Sequence, residues 1–193
     1  FFDPNPHRIP RSEVETGINY AIVLSSNAGL WAYSIGDTVK FTSVNPCRIL
    51  ITGRISQYIS AFGEHVIVEE VEKALMKTIS EFHAEVVEFT VAPEVNPPDG
   101  ELPYHEWFIE FSRLPDDLEK LRLALDESLQ QKNIYYRDLV KGNIIQPLKI
   151  RALQKDSFIR YMKSIGKLGG QNKVPRLSND RTIADEISTY ILK

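Results

Sequence analysis

The chain has 193 residues, room for one domain and part of a second at about 150 residues per domain. Its 23 basic and 26 acidic side chains leave a net charge of −3, which excludes a broad basic face for sequence-independent nucleic-acid binding. With 42% hydrophobic and 25% charged residues it is not disordered throughout, and no run of 18 apolar residues offers a membrane span.

The opening Phe1-Phe2-Asp3-Pro4-Asn5-Pro6 has neither a starting Met nor a basic region followed by an apolar stretch. A secretory signal is therefore not expected, and the chain reads as a piece of a longer one. Residues 1–17 read as an extended loop. Three strand-like runs follow, Tyr20–Ser26, Leu30–Ile35 and Thr38–Val44, divided by Asn27-Ala28-Gly29 and by Gly36-Asp37. A fourth, Arg48–Thr52, stops at Gly53. These runs predict an antiparallel meander over 20–52. Trp31 is expected in its core. The single cysteine, Cys47, allows no intrachain disulfide, predicts an inert buried thiol at a strand start, and fits a reducing, cytoplasmic setting.

After Gly53 the periodicity changes. Apolar residues at 67, 68, 71, 74, 75 and 79 predict a helix over Val66–Ile79, with Glu69, Glu70 and Glu72 as a solvated acidic first turn that suits the helix dipole. Strands are expected over Val86–Ala92 and Glu106–Phe111, joined through the turn Asn96–Gly100. In the second of these, Trp107 and Ile109 are expected on the side opposite Phe108 and Phe111. Helices are expected at 117–131, with Leu118, Leu121, Leu125 and Leu129 on one face, and at Asn133–Val140. Pro147 interrupts a strand within Ile144–Leu153 and demotes it to a sheet edge. A short helix over Phe158–Ile165, a Gly- and Lys-rich loop over Gly166–Pro175 and an amphipathic helix over Asp180–Ile191 complete the chain. Residues 1–53 thus form a β segment too small to stand alone, and 54–193 a compact α+β unit, with Gly53-Arg54-Ile55-Ser56 as a hinge between them.

Several residues carry chemistry. An aspartate after a glycine turn at a strand end, as in Tyr33-Ser34-Ile35-Gly36-Asp37, can accept two hydrogen bonds from the vicinal diol of a ribose. Gly-Asp is equally the chemistry of an ordinary turn. His65 is expected to cap the following helix, with a ligand contact as the alternative. His7, His83 and His105 lack metal-ligand spacing, so no metal site is expected. Lys167, Lys173 and Arg176 are, by themselves, solvated loop charges.

The order Tyr33-x-x-Gly36-Asp37, Gly53-Arg54, Ile59-x-x-x-Gly63-x-x-Val66, then Glu69-x-Val71-Glu72 resembles the adenylate-forming superfamily. Two positions depart from its pattern: Ser56 stands where an aspartate is usual, and Ser60 where a lysine is usual. Further motifs resemble one branch, the Gretchen Hagen acyl-acid amido synthetases. They are Asn27-Ala28-Gly29-Leu30-Trp31-Ala32-Tyr33, Leu125-Asp126-x-x-Leu129, Asn133-x-x-Tyr136, Pro147-Leu148-Lys149-Ile150 with Phe158, Gln171-x-Lys173-x-Pro175-Arg176, and Phe1-Phe2-Asp3 at the start.

The resemblance implies an α+β fold: a small C-terminal lid with a mixed sheet and flanking helices (54–193), preceded by the closing β segment of a large N-terminal domain (1–53). It implies formation of an acyl-adenylate from a carboxylic acid and ATP with Mg2+, then attack by an amino-acid amine to give an amide. Within it Asp37 is the ribose ligand. Tyr33, Arg54 and Arg176 lie near the nucleotide, Arg176 as a second phosphate contact. Arg54, Ile55 and Ser56 form the hinge, and Lys173 is the lid lysine that reaches the reacting phosphate. The partners implied are a small carboxylic acid, an amino acid and the large domain of the same protein, with no nucleic acid and no membrane. Because no phosphate-binding loop lies within the chain, the 193 residues alone are expected to be inactive. The alternatives are an acyl-CoA synthetase of the same superfamily and a non-catalytic binding module.

Overall fold

The computed structural model describes residues 6–55, 58–169 and 173–192. The chain divides into two compact units, Phe1–Gln57 and Tyr58–Lys193.

The first unit is a three-stranded antiparallel sheet in the order β1-β2-β3, formed by β1 (Asn19–Leu24), β2 (Tyr33–Ser43) and β3 (Arg48–Arg54). The meander is as expected, with one difference. Gly36-Asp37 does not divide two strands but lies within β2. There the register slips: Ala21 pairs with Thr38 and Val23 with Ser34, so Ile35, Gly36 and Asp37 oppose the single residue Ile22. A bulge absorbs extra residues without ending a strand, and Gly36 supplies the positive φ of 81° that it needs. Leu30, Trp31 and Ala32 belong to the β1–β2 connection, where Ser26 donates its N–H to the Leu30 carbonyl. Trp31 is 87% exposed rather than in the core, and Cys47 is exposed rather than buried. Both expectations assumed a second layer over the sheet, and among the described residues of this unit there is none. Val39, Thr38 and Thr52 are its buried centre, with the Thr52 hydroxyl donating to the half-buried Asn19 amide oxygen.

The second unit begins with a short ladder of β4 (Tyr58–Ile59) and β5 (Val66–Ile67), then α1 (Val68–Glu81). Its main sheet is mixed, in the order β6-β7-β8: β6 (Glu85–Glu94) and β7 (Tyr104–Arg113) antiparallel, β7 and β8 (Lys149–Leu153) parallel. The helices are α2 (Leu118–Lys132), α3 (Ile134–Lys141), α4 (Ser157–Ser164) and α5 (Thr182–Ile187). Asp117 caps α2 by accepting the Lys120 N–H, and Asn133 ends α2 while its side chain caps α3 through the Tyr136 N–H.

This is a three-layer arrangement. On one face Phe89, Val91, Trp107, Ile109 and Phe111 meet Val71, Ala74 and Leu75 of α1, Leu121, Leu125 and Leu129 of α2, and Tyr136 of α3. On the other, Ala92, Phe108 and Leu153 meet Phe158 and Tyr161 of α4 and Ala184 and Ile187 of α5. Phe111 therefore lies with Trp107 and Ile109, not with Phe108. β7 is buried from Tyr104 through Phe111 because it is central and covered on both sides. β8 begins after Pro147 and takes the edge, as expected. The terminal helix is shorter than the pattern predicts. After α5 and one 3-10 turn at Ser188–Tyr190 the chain leaves helix to lie along β8, where Leu192 donates to the Ala152 carbonyl and Ile191 bridges Leu153.

Candidate functional site

In the first unit the β2 bulge mounts the candidate ribose carboxylate. Asp37 pairs with Arg54 across β2 and β3, and Arg54 Nε lies 3.2 Å from Asp37 Oδ1. The Ile55 N–H donates to the Gly36 carbonyl at 2.7 Å, which continues the pairing one step past β3. An added Cβ at Gly36 would meet nothing within 4 Å. The glycine is thus required by its backbone angle and not by crowding. Asp37 is half-buried and Tyr33, at the start of β2, is exposed. A carboxylate offers about four acceptor sites, so one arginine bond leaves capacity for a diol. Of the expected hinge, Arg54 ends β3 and Ile55 follows it, while Ser56 lies outside the described residues.

In the second unit Lys173 is exposed and lines a cavity of about 250 Å³ with Phe158, Met162, Lys167, Leu168 and Val174 among its walls. Glu110 also borders this cavity, but its oxygens accept the Asp156 and Phe158 N–H groups at the start of α4. Immediately after Lys173 the chain docks on β6. Pro175 accepts a hydrogen bond from Thr90 Oγ1 at 2.7 Å, Val91 N–H donates to the Arg176 carbonyl at 2.9 Å, and Ser178 N–H donates to the Val91 carbonyl at 3.0 Å. The Arg176 guanidinium lies 4.5 Å from the Phe89 ring centroid and pairs with Glu88 of β6 and, at 3.4 Å, with Glu72 of α1. Burial pulls its pKa below the usual arginine value, against the pull of Glu72.

The acidic first turn of α1 is more engaged than its sequence suggests. Glu70 accepts from the Ile67 N–H and from Asn133 Nδ2, Glu69 holds Lys73 and Glu72 holds Arg176. His65 does not cap α1. It sits at φ 47° between β4 and β5 with Nδ1 2.9 Å from Ser60 Oγ, and Glu70 serves the helix start instead.

The structure assembles two buried polar constellations whose pairings the sequence did not predict. Glu64 and His105 are wholly buried, with Oε1 to Nε2 at 2.8 Å, and Glu64 also accepts the Phe62 N–H. Burial alone would raise the Glu64 pKa, but the bond and charge of His105 together with backbone N–H donors offset it, so the carboxyl titrates below its ordinary range. Asp126 accepts from Tyr136 Oη at 2.6 Å, from the Leu148 N–H and from Gln130. Burial, then the Asp126 charge, pushes the Tyr136 hydroxyl well above its usual value. The spacing Leu125-Asp126-x-x-Leu129 was visible in the sequence, but its meeting with Tyr136 was not. Among the described residues no three His, Cys, Asp or Glu side chains converge as a metal cluster, and no helix is long and apolar enough to cross a membrane.

Known proteins resemble this chain along most of its length. The GH3 family C-terminal domain matches residues 69–182 and the GH3 family central domain matches residues 3–54. An indole-3-acetic acid-amido synthetase, GH3.10 of Arabidopsis thaliana, is 28% identical over 96% of this chain and 32% of its own length. A GH3 domain-containing protein of Mus musculus is 25% identical over 90% of this chain and 34% of its own. The fold is shared with GH3.15 acyl acid amido synthetase, at a TM-score of 0.76 and 19% identity over 94% of this chain and 34% of that one. The chain therefore spans about a third of the length of these relatives. With its C-terminal domain matched across 69–182 and its central segment across 3–54, the chain belongs to the GH3 family.

Proposed function

We propose that this chain supplies the hinge-side strands (1–53) and the C-terminal lid (54–193) of an ATP-dependent acyl-acid amido synthetase, in which a carboxylic acid is activated as its adenylate and then captured by an amino acid. The observation that carries the reading is the family match over both segments, together with relatives named amido synthetases that align along nearly the whole chain.

In this reading Asp37 accepts the two ribose hydroxyls, with Arg54 holding one of its oxygens so that the carboxylate stays oriented on the bulge. Tyr33 flanks the nucleotide. Lys173 delivers its ammonium to the phosphate oxygens, where charge builds as pyrophosphate leaves, an interaction that strengthens when water is excluded. Arg54, Ile55 and Ser56 are the pivot, which needs backbone freedom more than a particular side chain. ATP is a co-substrate. Mg2+ is taken to arrive on the triphosphate, which it binds through phosphate oxygens. The single exposed thiol suits a cytoplasmic enzyme.

The test uses the full-length protein with ATP, a panel of carboxylic acids, and either amino acids or coenzyme A. Acid-dependent exchange of pyrophosphate into ATP, followed by a mass-identified amide only when an amino acid is present, is the expected result. A thioester formed with coenzyme A and no amide would transfer the protein to the acyl-CoA branch. Absence of any exchange across the panel would leave the non-catalytic reading. Asp37→Ala should chiefly raise the KM for ATP, while the 193-residue chain alone should release no pyrophosphate.

A further inference from the structure

The stretch after Lys173 is held by an unusual set of contacts. Residues 175–178 add a short parallel segment to the edge of β6 through Thr90, Val91 and Ser178. Arg176 sits inside that segment. Its guanidinium reaches Glu88 on β6 and Glu72 on α1, and its Cζ lies over the Phe89 ring. Phe89 in turn stacks on the buried Trp107, with ring centroids 5.7 Å apart. One side chain therefore ties the segment to a strand, a helix and the aromatic core. Two carboxylates around one guanidinium leave a local charge of about −1, which repels a triphosphate rather than attracting it.

We propose that Arg176 is a positioning residue: the Glu72–Arg176–Glu88 clamp sets the seat of the Lys173 loop on β6 and does not itself contact phosphate. This rests on the reading of Lys173 as the lid lysine and extends it. Lys173 lies three residues before Arg176 on an exposed loop, so its reach is defined only if the segment that follows is fixed in register. The planar fork of arginine can hold two carboxylates at once and lie flat on a ring, whereas the point charge of lysine cannot do all three.

The experiment compares Arg176→Ala, Arg176→Lys, the double variant Glu72→Gln/Glu88→Gln and Lys173→Ala in the full-length protein. It reads single-turnover adenylation and amide hydrogen exchange at Val91 and Ser178. Loss of the clamp should lower the adenylation rate about 10-fold to 100-fold, the scale of a small misplacement of a catalytic group. The KM for ATP should change less than about twofold, since no phosphate contact is lost. Exchange at Val91 and Ser178 should quicken. The Glu72→Gln/Glu88→Gln protein, which keeps Arg176, should reproduce both effects, and Arg176→Lys should not rescue them. Lys173→Ala should slow adenylation with exchange unchanged. A raised KM for ATP in Arg176→Ala with unaltered exchange, and no effect in the glutamine pair, would make Arg176 a phosphate ligand and overturn the proposal. Unchanged exchange in every Arg176 and glutamate variant would also overturn it. If Lys173→Ala adenylates normally, the reading of Lys173 fails by itself, and the exchange at Val91 and Ser178 still decides whether the clamp seats the segment. Should Arg176→Ala not fold, the glutamine pair and Arg176→Lys carry the same comparison.

Discussion

The two units hold their candidate residues by different means. In the first, Asp37 is placed by backbone geometry: a glycine at positive φ, a bulge and one ion pair, on a sheet whose β3 residues Ile49, Leu50 and Ile51 are all exposed. In the second, the segment after Lys173 is placed by side chains, added to its backbone pairing with β6, on a sheet whose central strand is buried. The difference follows from layers. A three-stranded sheet with no covering layer among the described residues of its own unit buries too little apolar surface to organise side chains, so local chain conformation must aim them. A sheet between two helical layers gives each clamp a rigid base.

The sharpest way to test that contrast is to delete apolar groups on each side of it. Trp107→Ala removes a fully buried ring at the centre of β7 and should cost about 3–5 kcal/mol. Ile51→Ala, at a residue 67% exposed, should cost less than about 0.5 kcal/mol. Urea unfolding of both variants makes the comparison, and an equal loss in the two would abolish the distinction.

Next in size is the buried Glu64–His105 pair, which has no counterpart in the first unit among the described residues. Because the folded state depresses the Glu64 pKa, its contribution to stability is complete above the ordinary glutamate value of about 4.3. That contribution is lost as pH falls below this value, through the lower folded-state one. Stability measured against pH should therefore show an acid limb that Glu64→Gln flattens. A limb of the same slope in that variant would assign the acid sensitivity elsewhere.

Tyr136→Phe should cost about 1–3 kcal/mol, since it strips a donor from the buried Asp126 carboxylate. Asp126 keeps the Leu148 N–H and Gln130, so thermal unfolding should remain a single cooperative step. A slightly smaller loss is expected at the bulge. Gly36→Ala forces a Cβ into the left-handed region and should cost about 1–2 kcal/mol, with a rise in the KM for ATP larger than the stability loss suggests. An unaltered KM would separate Asp37 from the nucleotide.

Much of this was legible along the chain. The leucine stripe of α2, the short helix after it and the strand cut by Pro147 each follow from contacts or conformations within a few residues, and each formed close to where the pattern put it. What failed did so because the signal was not local. Trp31 and Cys47 looked like core from composition alone, yet whether a strand or loop is covered depends on another layer. The terminal helix ended early because β8 offered Leu192 and Ile191 backbone partners that no helical periodicity encodes.

The sequence by itself determined most of the elements, because periodicity is a property of the chain, and it carried the ordered motifs from Asp37 to Arg176 whose resemblance pointed to the family. Only the tertiary structure decided that Gly36-Asp37 is a bulge inside a strand, that Glu64 meets His105 across 41 residues, and that Arg176 is held between Glu72 and Glu88. Those are pairings of buried or half-buried charges and strained backbone. Their stability comes from neighbours brought close by the fold, and no local pattern records who those neighbours are.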